Sequence, residues 1–543
     1  MSRLLLGGRI YSPTHPDATA MAVRDGVVVW LGSDEVGLAQ FPAAERINLD
    51  GGFVAPGFVD SHVHLTATGL QITGVDLAGS QSLADCLDRV ASHVATCPGQ
   101  VIWGHGWDDT TWPRPPSTAD VDAIAQSRPI YLSRIDAHSA AASTALRQRV
   151  SGLSGSAGFD PELPLTADAH HLVRTQARLL LTVGQRAQAR QAACDAAAAA
   201  GIVAVHECAG PQIMGLQDWE ELRASTPGVE VIGYWGEVVS SAAEARDLVT
   251  RTGARGLAGD LCVDGALGSR TASLSRPYSD APATSGNRYL DGQTLREHLA
   301  ACTDAGVTAG FHVIGDAGVA VVVEALESTV QRFGVPAVAR CGHRLEHLEM
   351  VSAQQAALLA SCGVIASMQP NFDALWGGPD GMYARRLGVQ RAAGLNPFSA
   401  LAAAGVPLAF GSDSPVTGLN PWGWVRAASN HHSPSLAISV RAAFAAATRG
   451  GWRAAGVRDG LTGTLVPGAP ASYSVWDLCE PSAALAGAPD SGRPAGGARA
   501  VSDAVRRWST DPRSLVPGLP SLDEDAVLPV CRQTVHRGVI LHG

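Results

Sequence analysis

The chain has 543 residues, 46% of them hydrophobic and 17% charged, so it is long enough for a barrel-sized domain plus a smaller one. A formal net charge of −10 argues against nucleic acid and anionic membranes as partners, because an acidic surface attracts neither. No apolar run reaches about eighteen residues, so the sequence predicts no transmembrane helix.

The N-terminal segment, Met1–Arg9, contains a basic residue and an apolar run too short for a signal peptide, and we predict a first strand there. Ten cysteines occur without a Cys-x-x-Cys pair. In a large chain without a signal segment, this usage predicts reduced thiols and a cytoplasmic location.

Both ends of the chain have the composition of short strands. Near the start, Asp25-Gly26 separates two β-rich runs, which is a strong hairpin signal. Near the end, Tyr473–Asp477 and Val535–Ile540 have the same character. We therefore expect residues 1–54 and 456–543 to build one small β-sandwich together.

Between the two ends, at 55–455, apolar β-type runs alternate with helical stretches rich in Ala and Leu, which is typical of parallel β/α units. Eight strand candidates predict an α/β fold, a (β/α)8 TIM-type barrel whose catalytic residues lie at the carboxyl ends of the strands. The candidates are Phe58–His64, Ile202–Glu207, Val229–Trp235, Leu261–Gly265, Val307–His312, His343–His347, Val364–Gln369 and Val406–Asp413.

The interval between the first two candidates, about 66–200, is much longer than the others. It contains strand-like runs of its own at Val101–Gly104 and Pro129–Leu132. We predict an insertion over the barrel mouth, where substrate selectivity commonly resides.

The first barrel strand ends in His62-x-His64. Because side chains alternate along a strand, these two imidazoles point to the same side. Two imidazoles on one face at a strand end form half of a transition-metal site. The alternative is two ordinary surface or core histidines.

Three further strand candidates end in side chains that bind metals, namely His312, the Glu346-His347 pair and Asp413. In a barrel they converge with the first strand, and histidines with an aspartate suit Zn²⁺ or a similar divalent ion. Such an ion lowers the pKa of bound water toward ~7, and Asp413 could then pass the proton to the leaving group. Each residue alone fits an ordinary polar group at a strand end, but the set favours a metal.

Three motifs, Pro56–His64, Glu346-His347 and Gly411–Pro415, resemble the amidohydrolase superfamily, and Asp264–Ala272 and His312–Asp316 resemble its family 3 branch, which includes N-substituted formamide deformylases. The resemblance covers nearly the whole chain. It implies hydrolysis of a carbon–nitrogen bond other than a peptide bond. It also implies a ligand set, with His347 either a ligand or a catalytic neighbour of the bound water; the other ligands are His62, His64, His312 and Asp413.

The chain departs from that superfamily in one respect. Many members bridge two metals with a carboxylated lysine on the fourth strand, whereas all 40 basic residues of this chain are arginine. Either one ion is held by the histidines and Asp413, or another group replaces the lysine, and we expect one ion rather than two. The replacement candidates are Asp260, Cys262, Asp264 and Glu207, of which the first three share one face of the predicted fourth strand. Asp264 could instead hold the turn that follows this strand or contact substrate.

Other residues are candidates for the substrate pocket. The resemblance places Trp107 and His138 there, although plain loop structure explains them equally well. Arg270 could bind an anionic substrate group or be a structural arginine.

We therefore expect an enzyme that hydrolyses a small amide, formamide or cyclic amide. A single-metal deaminase of amino-heterocycles is the alternative, and a catalytically silent, ligand-binding relative is a third hypothesis. The expected partner is a small-molecule substrate, and a homodimer is implied by the resemblance alone.

Overall fold

The computed structural model describes residues 2–96, 101–109, 111–135, 139–225, 228–478 and 518–543. At its centre, eight parallel strands follow one another in sequence order around a barrel. The predicted barrel class is confirmed. The barrel strands are Phe58–Val63, Ile202–Ala209, Glu230–Trp235, Gly256–Leu257, Thr308–Val313, Arg344–His347, Ile365–Met368 and Leu408–Phe410.

The barrel closes between its first and last strands. The amide of Asp413 donates to the carbonyl of His62 (2.8 Å), and the amide of His64 donates to the carbonyl of Ser414 (3.0 Å). All residues of the first two barrel strands are buried, as expected for parallel strands covered by helices. Closure therefore places Asp413 beside the two histidines of the first strand.

The fourth strand is shorter than predicted and lies earlier in the chain. We expected it at Leu261–Gly265, whereas the structure has it at Gly256–Leu257. The physical reason is Gly259, whose φ of +87° interrupts the extended conformation.

In the segment that directly follows this strand, Cys262 pairs with His312 and Asp264 pairs with Arg288, each as an isolated bridge. The prediction that Asp260, Cys262 and Asp264 share the face of a regular strand was therefore wrong. Each of these three side chains is instead placed by loop geometry.

Helices cover the outside of the barrel, and their apolar faces pack with the strands into one large core. Among the described residues, no helix is both long and apolar enough to span a membrane. The helices around the barrel are Leu65–Thr73, Val183–Ala199, Leu216–Ala224, Ala242–Thr252, Gly292–Ala305, Asp316–Phe333, Val335–Cys341, Ala353–Ser361, Pro370–Trp376, Met382–Leu387, Val389–Ala392, Phe398–Ala404, Pro421–Ser429, Val440–Ala445 and Gly451–Ala454.

The long interval after the first strand forms a five-stranded sheet of its own. Two separate apolar clusters involve this sheet and its helices, so the insertion has its own core. Its strands are Val75–Asp76, Ile102–Trp107, Ile130–Arg134, Ser139–Ala142 and Leu165–Thr166, and its helices are Leu83–Thr96, Thr118–Ala125, Thr144–Arg147 and Ala167–Leu179.

The two chain ends form two further sheets over a shared apolar core that includes Met21, Val54 and Val535. Both termini therefore contribute to the sandwich, as predicted, while the exact domain boundaries stay predictions. One sheet contains Val27–Gly32, Ala20–Arg24, Ser2–Leu6 and Glu45–Asn48; the other contains Arg9–Ile10, Phe53–Pro56, Tyr473–Asp477, Val530–His536 and Val539–His542. The helix Asp34–Gln40 accompanies the first sheet.

The helices that flank the insertion touch at Gly69. A Cβ atom at this position would lie 1.7 Å from the carbonyl oxygen of Ala189. We predict that Gly69→Ala lowers the free energy of unfolding by roughly 1–3 kcal/mol, because the facing helix backbone has to move. Denaturant unfolding measures the loss. The control is Gly155→Ala, whose Cβ would meet no atom within 4 Å, and equal stability of the two variants would contradict this close contact.

Candidate metal centre

His62 and His64 flank the end of the first barrel strand, with ring centroids 5.2 Å apart. The side chain of His62 is fully buried, and that of His64 is 13% exposed. Asp413 Oδ1 lies 3.5 Å from Nε2 of His62 and 3.3 Å from Nε2 of His64. The structure thus brings together three of the residues predicted as ligands.

The carboxylate of Asp260 lies among four imidazoles. Its Oδ1 is 3.3 Å from His62 Nε2, 3.6 Å from His312 Nδ1 and 4.0 Å from His347 Nε2. Its Oδ2 is 3.1 Å from His64 Nε2. The four predicted histidine ligands therefore surround Asp260, one of the groups considered as a replacement for the lysine, and Asp413 contacts two of these histidines.

In three of the four imidazole rings, the nitrogen that points away from Asp260 has a polar partner. The other nitrogen of each ring is the one that faces Asp260. Nδ1 of His62 donates to Glu346 Oε2 (2.9 Å), and Nδ1 of His347 donates to Gln369 Oε1 (2.7 Å). Nε2 of His312 lies 3.5 Å from the carbonyl of Gly265. With these protons assigned from the hydrogen-bond partners, the inward nitrogens of the three rings in their neutral form carry lone pairs, as metal ligands must.

Buried polar atoms without a hydrogen bond test whether a cation suits this centre. Among the described residues, His62 Nε2 and Asp260 Oδ1 are both buried and make no hydrogen bond, although they lie 3.3 Å apart. Burying such groups without partners is costly. A divalent ion would satisfy both atoms, so the residues present fit a metal.

The charges of the centre keep both carboxylates ionised at neutral pH. Burial raises the pKa of Asp260, but the surrounding histidines, His62 and His64 foremost, outweigh it and hold the pKa well below the ordinary value. Burial also raises the pKa of Asp413, and the histidines again lower it overall. Burial lowers the pKa of His64, whereas Asp260 and Asp413 raise it to about 9.

A buried ion pair supports His62 from within the barrel. Arg344 Nε donates to Glu346 Oε1 (2.5 Å), and Nη2 donates to Oε2 (2.9 Å) and to the carbonyl of Ser61 (2.7 Å). Both charged side chains are fully buried. This pair orients the carboxylate that receives the His62 proton. Arg344 was not among the predicted site residues, and neither was Gln369.

Asp60 ties the first strand to the segment that carries Asp413. Its Oδ1 accepts from the amides of His62 (3.1 Å) and Ser412 (2.9 Å), and its Oδ2 accepts from the Ser412 hydroxyl (2.5 Å). Burial raises the pKa of Asp60 to about 6, against the effect of these hydrogen bonds. Asp60 thus positions two ligand-bearing segments.

Two of the ligand candidates have strained backbone conformations. The φ angle is +68° at His347 and +53° at Asp413, in the left-handed region that non-glycine residues seldom adopt. At His347 this turn redirects a side chain that strand alternation would place on the opposite face from Glu346. Such strain is typical of sites where geometry matters more than local stability.

The other replacement candidates have different partners. Asp264 accepts from the amides of Ile314 (2.9 Å) and Gly315 (2.8 Å), so it holds the turn after the fifth strand. Cys262 donates to the carbonyl of Asp260 (3.5 Å). Glu207 accepts from the amide of Leu65 (2.7 Å), and burial raises its pKa to about 7.

The predicted substrate-pocket residues lie in different places. Trp107 is buried in the core of the insertion, where its indole donates to the carbonyl of Leu132 (2.8 Å). Arg270 forms a two-fold ion pair with Asp280, at 3.1 and 2.8 Å. His138 lies outside the described residues.

Known proteins are similar to this chain in sequence, two of them over most of its length. Protein LONG AFTER FAR-RED 3 of Arabidopsis thaliana is 28% identical, with 87% of this chain and 88% of that protein covered. The amidohydrolase YtcJ of Bacillus subtilis is 26% identical, over 78% and 82% of the two chains. A segment covering 24% of this chain and 25% of its relative is 28% identical to N-substituted formamide deformylase of Arthrobacter pascens.

Among solved structures, an uncharacterized metal-dependent hydrolase from Pyrococcus furiosus superposes with a TM-score of 0.71. It is 28% identical, and the match covers 88% of this chain and 98% of that one. The model of the amidohydrolase family matches residues 45–542, which is nearly the whole chain. The chain therefore belongs to the amidohydrolase family, which hydrolyses carbon–nitrogen bonds.

Proposed function

We propose that this protein is a metal-dependent hydrolase of a small molecule with a non-peptide carbon–nitrogen bond, such as a small amide, a formamide or a cyclic amide. The observation that carries the proposal is the convergence of four imidazoles on Asp260, with Asp413 beside them. The partial likeness to a formamide deformylase makes formamides the first substrates to test.

The proposed ligands are His62, His64, His312, His347 and Asp413, and the proposed metal is Zn²⁺ or another divalent transition metal. When bound, such an ion polarises a carbonyl group and makes water a better nucleophile at neutral pH. We further propose that Asp260 takes the place of the carboxylated lysine.

The donor inventory bears on the number of ions. Donor atoms of His62, His64 and Asp413 lie within 4.8 Å of one another, and so do those of His62, Asp260 and His347. Four imidazoles and two carboxylates exceed the four ligands that one zinc ion takes. This donor count supports the binding of two ions. The sequence, in contrast, favours one ion.

The roles of the chain's own groups follow from their protonation. Asp413 stays ionised because the histidines lower its pKa overall, so its free oxygen can accept a proton from the attacking water and return it to the leaving nitrogen. The Nδ1 of His347 donates its proton in a hydrogen bond to Gln369. Burial, reinforced by the charge of His312, lowers the pKa of His347, so its inward nitrogen is a ligand rather than an acid.

The cytoplasmic location and the homodimer stay predictions. Cell fractionation tests the first, and light scattering of the purified protein tests the second.

We predict that Asp413→Asn lowers kcat by roughly 100- to 10,000-fold, because an amide cannot accept the proton. Removal of the metal with a chelator should abolish activity, and zinc should restore it. The assay is product analysis on a panel of formamides, amides and cyclic amides. Asp247→Asn, at a side chain 75% exposed, is the control.

Products decide between the proposal and its alternative. An amine together with a carboxylate supports amide hydrolysis, whereas ammonia together with a ring oxo group supports deamination. A metal-loaded protein that is inactive on every substrate, amino-heterocycles included, would favour the silent, ligand-binding relative.

We predict that Asp260→Ala lowers the metal content per chain, because it removes the carboxylate that the four histidines surround. If two ions bind, elemental analysis should fall from about two per chain to one or fewer. Asp264→Ala, which alters a loop contact instead, should keep the metal if it folds. An unchanged metal content in Asp260→Ala would exclude Asp260 as a ligand.

We predict that Glu346→Gln weakens metal binding by roughly 10- to 100-fold, because the His62 proton loses its anionic acceptor. The free energy of unfolding should also fall by about 3–5 kcal/mol, since Arg344 would keep a buried charge without its partner. Metal titration and thermal unfolding measure the two effects. Glu324→Gln, on an exposed face of helix Asp316–Phe333, is the matched control, and behaviour like that of the control would refute the orienting role.

A further inference from the structure

A cavity of about 240 Å³ borders the candidate metal centre, with His64 and Glu207 in its wall. It lies between the barrel and the end of the insertion, because its other walls come from helix Leu65–Thr73, from Arg178–Arg186 and from Ile213–Asp218. Most of the wall is apolar, as in pockets for small organic molecules. The apolar residues are Ala67, Leu70, Leu179, Leu181, Ile213, Met214 and Leu216.

One cation in this wall lacks an anionic partner. The Nη1 of Arg178 donates to the carbonyls of Gln212 (3.3 Å) and Ile213. Among the described residues, no hydrogen bond engages its Nε or Nη2, and no carboxylate oxygen lies within 4.0 Å of the guanidinium. Arg178 thus keeps a fork of donors that matches a carboxylate.

The other charged groups of the wall are already engaged. Arg186 donates to both oxygens of Glu221, at 3.0 and 2.5 Å. Asp218 accepts from Arg190, and Glu207 accepts from the amide of Leu65. Arg178 therefore differs from Arg186 in having no carboxylate within hydrogen-bond distance among the described residues, although the charges of Asp218 and Glu207 act on it at longer range.

A second arginine strengthens the positive field. Arg174 lies one helical turn before Arg178 on helix Ala167–Leu179. Its Nε is buried without a hydrogen bond, and its Nη2 contacts His171 (3.1 Å). Burial, followed by the charge of Arg174, lowers the pKa of Arg178 to about 9. The attraction of an incoming anion would offset both the cost of burying Arg178 and its repulsion from Arg174.

We propose that this cavity is the substrate pocket and that Arg178 binds an anionic group, most simply a carboxylate, on the part of the substrate away from the cleaved bond. The inference rests on the proposed function, since it names a substrate class for the same site. Arg178 is then a specificity-determining residue, and the preferred substrates are amides or formamides that carry an acidic substituent on a small apolar body.

Binding of a matched pair of probes to the zinc-loaded enzyme tests this proposal. Racemic N-formylleucine and racemic N-formylleucinamide have nearly the same size, but only the first is anionic at neutral pH. Calorimetry should give a Kd at least tenfold lower for the acid; where the compounds are hydrolysed, the KM of formate release takes the place of the Kd. Arg178→Gln should raise the Kd of the acid at least tenfold and leave that of the amide within about twofold.

Two further variants control for folding and for overall charge. Arg178→Lys keeps the charge and should retain part of the preference, while Arg251→Gln removes an arginine that is absent from the cavity wall and should change nothing. Equal affinities for acid and amide, no binding of the acid, or a preference that survives in Arg178→Gln would overturn the proposal. The last result would mean that the carboxylate binds elsewhere, including at the metal.

Formate release from the same two compounds separates this inference from the proposed function. Hydrolysis without any preference for the acid would leave the function standing and remove the anion site. Binding of the acid that depends on Arg178, with no hydrolysis of any substrate in the panel, would leave the anion site standing and remove the function.

Discussion

A buried carboxylate surrounded by imidazoles is the constraint on which this site depends. Asp260 is held within about 4 Å of four histidine nitrogens, and its Oδ1 makes no hydrogen bond with any described residue. Transfer of an ion from water to such an environment costs several kcal/mol unless other charges compensate. The fold supplies that compensation from histidines of three different barrel strands, so the site exists only when the barrel is closed.

The same constraint explains the polar groups inside the barrel. The Arg344–Glu346 pair is an expensive way to fill a core, and apolar side chains of similar size would often be as stable. Its role is orientation, because Glu346 accepts the His62 proton and Arg344 binds the carbonyl of Ser61 in the same strand. Asp60 does the same for the Asp413 segment. These buried polar groups thus fix the orientation of the metal-binding lone pairs at a cost in stability.

Much of the site could be predicted from sequence because it depends on two simple periodicities. Alternation places His62 and His64 on one face, and parallel strands bring their carboxyl ends together, so His312 and Asp413 follow. The same reasoning gave the wrong position for the fourth strand. This strand has only two residues and ends before Gly259, and Asp260 reaches the metal centre from the loop that follows.

Residues that act through tertiary neighbours were harder to find. Arg178 lies on an insertion helix whose packing no local pattern reveals, while Arg270, which has the more suggestive sequence context, pairs with Asp280. Trp107 packs in the core of the insertion, because a large aromatic side chain stabilises a core through the apolar area that it buries.

The position of Asp260 also changes what the protein needs for its assembly. A carboxylated lysine forms only by reaction of the amine with carbon dioxide, so a site built on it depends on dissolved bicarbonate and on a reversible covalent bond. An aspartate is complete when the chain leaves the ribosome. In the proposed site, maturation would therefore require metal alone, and the ligand set would survive conditions of low carbon dioxide that reverse a lysine carbamate.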